Sequence, residues 1–386
     1  MAIILFDDNA HQSLLPLTYT RPVADLRIGI LTIAEKWAKH LNAEHSFQTQ
    51  PYLQAKFPQK VGADDLYING SVCPDDGLLE AISQLKTGEA LQQGDFLIAS
   101  KASIDSKFSK VINYDPFFIS LKHPEDIFSK NEIELRKDFK LLTKGRTSVE
   151  ISSTNTIIGN DFFAEEGATA ECSTFNTTNG PIYLGANSSV WEGVNIRGAF
   201  ALCQDSQVKM GAKIYGATTV GPFCRVGGEI SNSVIWGYSS KGHEGFLGNS
   251  VLGEWCNIGA DSNNSNLKNN YAEVKLWDYT VQRFRKTGLQ FCGLIMADHA
   301  KCGINTMFNT GTVVGVSANV FGAGYPRNFV PDFAWGGAQG FETYSLKKMY
   351  ETSMLVYPRR DREFDKIEQE ILKAVFALTE SYRSVF

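Results

Sequence analysis

The chain has 386 residues, 43% of them hydrophobic, and a formal net charge of −5 from 37 basic and 42 acidic side chains. A chain of this length exceeds what one hydrophobic core supports, since single cores stop growing at roughly 250–300 residues. Its lysines and arginines are scattered, which excludes the concentrated basic surface that nucleic acid binding needs, and no window approaches the roughly 18 apolar residues of a membrane span.

The first stretch, MAIILFDDNAHQ, is a short apolar run ended by two aspartates, without the basic start and small-residue cleavage pattern of a secretory leader. Seven cysteines without a C-x-x-C pair argue against a disulfide framework and a structural zinc site. These features point to reduced thiols and a cytoplasmic protein with no membrane or nucleic acid partner.

Residues 1–146 read as an α/β domain. Strand-like AIILFDD and DLYING flank helix-like GILTIAEKWAKHLNA, and FLIAS, SKVINYD and the helical PEDIFSKNEIELRKDF follow. At residue 147 glycine, asparagine, serine and threonine become abundant, and helical patterns nearly vanish up to residue 325, except around KLWDYTVQRFRKTG.

Within 147–325 an aliphatic residue returns every sixth place: Leu184, Val190, Ile196, Leu202, Val208, Ile214, Val220, Val226. The same spacing reappears at Phe246, Leu252, Ile258 and at Met296, Cys302, Phe308, Val314, Val320. A period of six fits neither a helix nor a plain strand. It fits a solenoid in which each hexad gives a short strand and a tight turn, three hexads make one coil, and each coil buries its apolar set only against its neighbours. Residues 326–386 read as a Pro/Gly/aromatic loop and a helical tail, with Phe364, Ile367, Ile371 and Val375 on one helix face.

This hexad pattern resembles the hexapeptide-repeat acyltransferases. The resemblance implies a left-handed parallel β-helix and a homotrimer. Residues 241–266, KGHEGFLGNSVLGEWCNIGADSNNSN, resemble more specifically the acetyltransferase domain of the bifunctional N-acetylglucosamine-1-phosphate uridyltransferase/glucosamine-1-phosphate N-acetyltransferase family. On that resemblance His243 falls on the general base, Asn257 and Asn266 on two substrate-binding asparagines, and Phe246 on a tyrosine whose hydroxyl it lacks. The family's phosphate-binding arginine falls on Gly227, which leaves Arg225 as a displaced candidate; its next lysine falls on Ala272, which leaves Lys268 and Lys275. The residue types suit the chemistry. Acetyl transfer from acetyl-CoA to an amino sugar 1-phosphate needs a neutral amine, and an imidazole with an ordinary pKa near 6.5 can take the ammonium proton. YPRRDR, with Arg359 and Arg360, offers charge for the pyrophosphate of coenzyme A or is a solvated helix start.

The first domain resembles a divergent sugar-1-phosphate nucleotidyltransferase in which LLPLTYTRPVADLR replaces the glycine-rich phosphate loop. Nucleotide binding would then rest on Arg21, Arg27 and Lys36. The family's magnesium-binding aspartate falls on Ser71, so Mg2+ would need Asp7 and Asp8, residues that otherwise cap a strand end. The resemblance implies a sugar-nucleotide biosynthesis transferase, taking amino sugar phosphate, acetyl-CoA, and nucleoside triphosphate or nucleotide sugar. Two alternatives stay open: a nucleotidyltransferase whose β-helix is structural or regulatory, and a non-catalytic nucleotide-sugar sensor.

Overall fold

A computed structural model describes residues 2–62 and 64–383; the last three residues of the expected tail lie outside them. The chain divides into two compact units, one of residues 1–27 and 31–123, the other of residues 28–30 and 124–386. Among the described residues no helix is long and apolar enough to cross a membrane, and all seven cysteines are free thiols.

The first unit is a six-stranded sheet. Its strands are β1 (Ile3–Phe6), β2 (His45–Gln48), β3 (Leu66–Asn69), β4 (Glu89–Gln93), β5 (Phe96–Ser100) and β6 (Lys110–Asn113), in the order β2-β1-β3-β5-β4-β6. β1 is buried at every position and lies parallel to both β2 and β3, so IILF reads as a continuous apolar run with no alternation. The helices are α1 (Ala10–Ser13), α2 (Ile33–Leu41) and α3 (Asp76–Ser83). A capping box starts α2: Thr32 Oγ1 accepts from Glu35 N at 3.2 Å while Glu35 Oε2 accepts from Thr32 N at 2.7 Å.

The second unit begins at helix α4 (Glu125–Thr143), earlier than the compositional shift at residue 147. The reason lies on the helix's buried face, which carries Asn131 and Asp138 beside Phe128 and Leu135. Asn131 Oδ1 accepts from Gly29 N at 2.7 Å, its Nδ2 donates to Ala217 O at 3.0 Å, and Asp138 Oδ2 accepts from Ile30 N at 2.8 Å. Gly29 sits at φ +75, and a Cβ there would meet Asp138 Oδ2 at 2.5 Å. This satisfied polar network makes α4 part of the solenoid unit.

The solenoid is a three-sided parallel β-helix. Face I runs from Thr156–Ile158 to Phe246–Gly248, face II from Phe162–Ala164 to Phe329–Val330, and face III from Thr169–Ala170 to Ala334–Gly337, closed by the antiparallel strand Gly340–Thr343. Inward rows stack in register: Phe175, Ile196, Ile214, Ile230, Leu247 on face I; Leu184, Leu202, Val220, Ile235, Leu252, Met296, Val314, Val330 on face II; Val190, Val208, Val226 on face III. These residues form one buried cluster.

The strict period of six ends at Val226. The next coil returns on face III at Lys241, 15 residues on, where the previous coil took 18. Leu247, not Phe246, therefore points inward, and Phe246 stands on the outer side of face I. The stretch around KLWDYTVQRFRKTG, expected to be helical, is an antiparallel hairpin, Lys275–Asp278 with Arg283–Lys286. Its aromatic residues decide this, since Trp277 pairs directly with Phe284 across the strands with their rings 5.5 Å apart.

One corner of the prism repeats a left-handed residue two positions before seven of the face III strands: Asn187, Asp205, Phe223, Tyr238, Trp255, His299 and Ser317, at φ between 55° and 63°. Four of these stack as rings, Phe223 on Tyr238 at 5.1 Å, Tyr238 on Trp255 at 4.4 Å and Trp255 on His299 at 6.5 Å. The tail, α5 (Leu346–Val356), a 3-10 helix (Tyr357–Arg360), α6 (Lys366–Leu378) and α7 (Glu380–Arg383), packs here, with Tyr357 on Trp255 at 3.9 Å. Phe364, Ile371 and Val375 are buried as expected for the tail, whereas Ile367 is 39% exposed.

Lys241 occupies the inward row of face III between Val226 and Ile258 and is 2% exposed. Its Nζ donates to His243 O at 2.7 Å, and burial pushes its pKa down to about 8. An unfolded lysine titrates near 10.4, so between about pH 8 and 10.4 the unfolded chain binds more protons and stability rises with pH. Below pH 8 the full cost of burial stands. Lys241→Met is therefore expected to raise the Tm at pH 7, with the gain shrinking by pH 10; thermal denaturation showing the variant less stable at pH 7 would contradict this.

Candidate functional site

His243 lies at the corner between the face III strand Ser240–Lys241 and the face I strand Phe246–Gly248. The backbone is tight there. A Cβ on Gly245 would meet Ser262 O at 2.1 Å, and one on Gly228 would meet His243 O at 2.6 Å, so only glycine fits. The corner is pinned from inside by the Lys241 ammonium on the His243 carbonyl. The imidazole itself is exposed, and among the described residues it makes no hydrogen bond. Glu244 and Lys213, 3.8 Å apart, stand beside it.

Asn257 belongs to the same neighbourhood by register. Across face III, Arg225, Ser240 and Asn257 are consecutive Cα partners, so Arg225 and Asn257 are two strand spacings apart, about 10 Å. Asn257 is exposed and its amide makes no hydrogen bond among the described residues. Arg225 turns toward the opposite corner, its Nη1 donating to Asp205 O at 2.8 Å and Cys224 O at 2.9 Å.

Below His243 the face I ladder is interrupted. The six-stranded sheet ends at Phe246–Gly248, and the next strand, Asn263–Asn264, pairs only with Met307–Phe308. Two asparagine side chains bridge the gap: Asn263 Oδ1 accepts from Phe246 N at 2.8 Å, and Asn264 Oδ1 accepts from Gly248 N at 2.9 Å while its Nδ2 donates to Gly248 O at 3.0 Å. Asn266, just beyond, is half-buried, and its Nδ2 donates to Asn249 Oδ1 at 2.8 Å.

The chain then leaves the prism as the hairpin and rejoins it at Leu294. Arg285 anchors the hairpin, its Nε donating to Asp278 Oδ2 at 3.1 Å and its Nη2 to Glu125 Oε1 at 2.6 Å. Beside it opens a cavity of about 740 Å³ whose lining includes Lys268, Lys275, Arg327, Trp277, Phe284 and Phe329 and no carboxylate. Lys268 and Lys275, both expected to bind substrate, thus meet in one cavity. Trp277 stacks on Phe329 at 4.2 Å, and its indole N–H is buried without a hydrogen-bond partner. Three cations and aromatic walls suit a ligand that carries both phosphate and a flat ring.

Sequence reasoning missed Lys241, Asn263, Asn264, Trp277 and Arg327. The signal for Lys241 was present: a lysine stands where the row asks for an aliphatic once the short coil is allowed. The asparagines at 263 and 264 carry no such signal, since their use in place of backbone hydrogen bonds shows only in the fold.

In the first unit the expected nucleotide-binding residues are spent on the protein's own structure. Arg21 is 4% exposed with its Nη1 3.0 Å from Asp25 Oδ2, Arg27 pairs with Glu35 at 3.5 Å, and Lys36 is 1% exposed on α2. Asp7 Oδ1 accepts from Val23 N at 2.8 Å and its Oδ2 from Thr49 Oγ1 at 2.5 Å; Asp8 Oδ1 accepts from Ala10 N and its Oδ2 from Asn69 Nδ2, both at 2.8 Å. Ser71 Oγ donates to Asn69 Oδ1 at 2.8 Å. This donor set does not fit a magnesium ion. Both carboxylates already hold chain donors, and no three His, Cys, Asp or Glu among the described residues are placed to share an ion.

Fold and site together describe an α/β unit followed by a hexad β-helix with an exposed histidine at one corner. Residues 3–147 match the model of a sugar nucleotidyl transferase family. Among curated proteins, the chain is 23% identical over 197 residues to the bifunctional protein GlmU of Synechococcus elongatus, covering 49% of this chain and 36% of that one. It is 31% identical over 87 residues to the bifunctional protein GlmU of Methanocaldococcus jannaschii, 22% of this chain and 21% of that one. The matches thus span about a third or less of the length of these relatives. Among solved structures, a UDP-N-acetylglucosamine acyltransferase from Campylobacter jejuni aligns over 61% of this chain and 84% of its own, at 16% identity and a TM-score of 0.26.

The Asp7 carboxyl gives a test of the first unit. Its folded pKa of about 7 lies above the unfolded value near 3.9, so the folded state binds more protons between those values and loses stability as pH rises through them. Asp7→Asn is expected to make the slope of Tm against pH more positive between pH 5 and pH 7.5; an unchanged slope in that variant would show that Asp7 contributes nothing to it.

Proposed function

We propose that the solenoid unit transfers an acetyl group from acetyl-CoA to glucosamine 1-phosphate or a similar amino sugar 1-phosphate, in a cytoplasmic homotrimer, with His243 as general base. The observation that supports this is the corner itself. An exposed imidazole with no partner stands on a backbone that only glycine allows, is pinned by a buried lysine, and has the unengaged amide of Asn257 on the next strand.

In this reading the amine attacks the thioester carbonyl as His243 takes its proton; the N–C bond forms, the C–S bond breaks, and the thiolate leaves to be protonated from the imidazolium. No covalent enzyme intermediate is needed. Asn257 and Asn266 orient the sugar, and Phe246 offers it only an apolar face. The cavity of Lys268, Lys275 and Arg327 suits a phosphate-bearing substrate, and its aromatic walls suit the base of a nucleotide.

For the first unit a second reading is favoured by a specific observation: Asp7, Asp8 and Ser71 are bound up in internal hydrogen bonds. The unit then forms no nucleotide sugar, and any nucleotide sugar it binds is held by residues other than Arg21, Arg27 and Lys36.

Thiol release from acetyl-CoA with glucosamine 1-phosphate is the test. The wild type is expected to turn over, and His243→Ala to lose at least about a hundredfold in kcat, since removing a general base costs 10²–10⁴-fold. Absence of turnover with every amino sugar phosphate offered would overturn the reading.

A further inference from the structure

The tail brings Arg359 and Arg360 to the prism corner that Arg225 faces. The three guanidinium groups line one small cavity of about 250 Å³, with Asp205 and Asp361 also in its wall. The residues come from distant parts of the sequence, Arg225 from a face III strand and the other two from the 3-10 helix between α5 and α6.

Two of the three groups are held by carbonyl oxygens. Arg225 Nη1 donates to Asp205 O and Cys224 O, Arg360 Nε donates to Phe223 O at 3.0 Å, and Arg360 Nη1 donates to Arg359 O at 3.1 Å. None of the three forms an ion pair with a carboxylate among the described residues, although two carboxylates lie in the same wall. This leaves Nε and Nη2 of Arg225, Nη2 of Arg360 and the whole Arg359 fork as unused donors. Guanidinium forks fixed by carbonyls lose little freedom on binding and match the oxygens of a phosphate group. Burial and the positive charges of Arg225 and Arg359 lower the Arg360 pKa, as for a cation that still lacks its counter-ion.

We propose that Arg225, Arg359 and Arg360 form a binding site for a phosphate or diphosphate group, separate from the His243 corner and the Lys268 cavity, in which the anion ties the tail to the prism. The argument needs nothing from the acetyl-transfer reading. A polyanion such as nucleic acid does not suit so small a recess. The shared chemistry has two sources, a free inorganic anion or the diphosphate of a nucleotide-type ligand.

The test is isothermal titration of the full-length protein with inorganic pyrophosphate, uridine diphosphate and coenzyme A, each paired with a thermal-shift measurement. Arg359→Gln removes an exposed side chain that makes no hydrogen bond, so it leaves folding intact; Arg225→Gln is its partner on the prism, and Lys347→Gln serves as a control of equal charge change. At least one probe is expected to bind saturably and raise the Tm, with affinity falling tenfold or more in both arginine variants and not in the control. His243→Ala should bind as the wild type does, which separates this site from acetyl transfer. Uridine diphosphate or coenzyme A binding ten times tighter than pyrophosphate would assign the nucleotide source, and equal affinity the free anion. No saturable binding at millimolar concentration, or affinities untouched in Arg359→Gln, would overturn the proposal.

Discussion

Every feature of the second unit depends on one constraint: a coil of the prism buries its apolar side chains only against the coils above and below. Each turn of chain must therefore come back to the same register, and the corners must close without consuming the ladder. The repeated left-handed residue before face III, from Asn187 to Ser317, meets that demand. Left-handed backbone is costly for bulky residues, yet Phe223, Tyr238 and Trp255 accept it. Stacking of their rings offsets the strain, and the same stack gives the tail its seat.

Within the inward rows, a lysine and an asparagine stand where the register is disturbed. The 15-residue coil puts Lys241 into a row of valines, and the gap below it puts Asn264, 3% exposed, into the row of face I. Both are satisfied, one by the His243 carbonyl and the other by the edge of Phe246–Gly248. The exposed imidazole, the asparagine bridges and the inserted hairpin all follow within the next two coils. The prism is regular from Leu184 to Val226, and the candidate residues His243, Asn257 and Asn266 gather beyond that stretch.

That division also explains what could be read from the sequence. Between Leu184 and Val226 each coil has the same length, so period and inward rows were visible directly. Past Val226 the coils shorten, and a fixed frame of six then took Phe246 for a core residue. The His243 corner stayed legible because its signal is local: glycines, a histidine and asparagines within one run. The hairpin was hidden because its charges and aromatics suggested helical spacing, while the Trp277–Phe284 pairing that decides it exists only across strands. The meeting of Arg225 with Arg359 and Arg360 rests on contacts across more than a hundred residues, beyond any motif. In the first unit the strands of Ile3–Phe6 and Leu66–Asn69 were legible, but the internal use of Asp7, Arg21 and Lys36 depends on tertiary burial that no local pattern carries.

The ring stack has an optical consequence. Trp255 is 6% exposed, between Tyr238 on one face and Tyr357 of the tail on the other. The indole is thus covered by Tyr238 and His299 of the prism and, most closely, by Tyr357 of the tail. Loss of the Tyr357 ring would admit water to that face and shift the emission of this one tryptophan to the red. The protein carries a built-in fluorophore for whether its tail is seated.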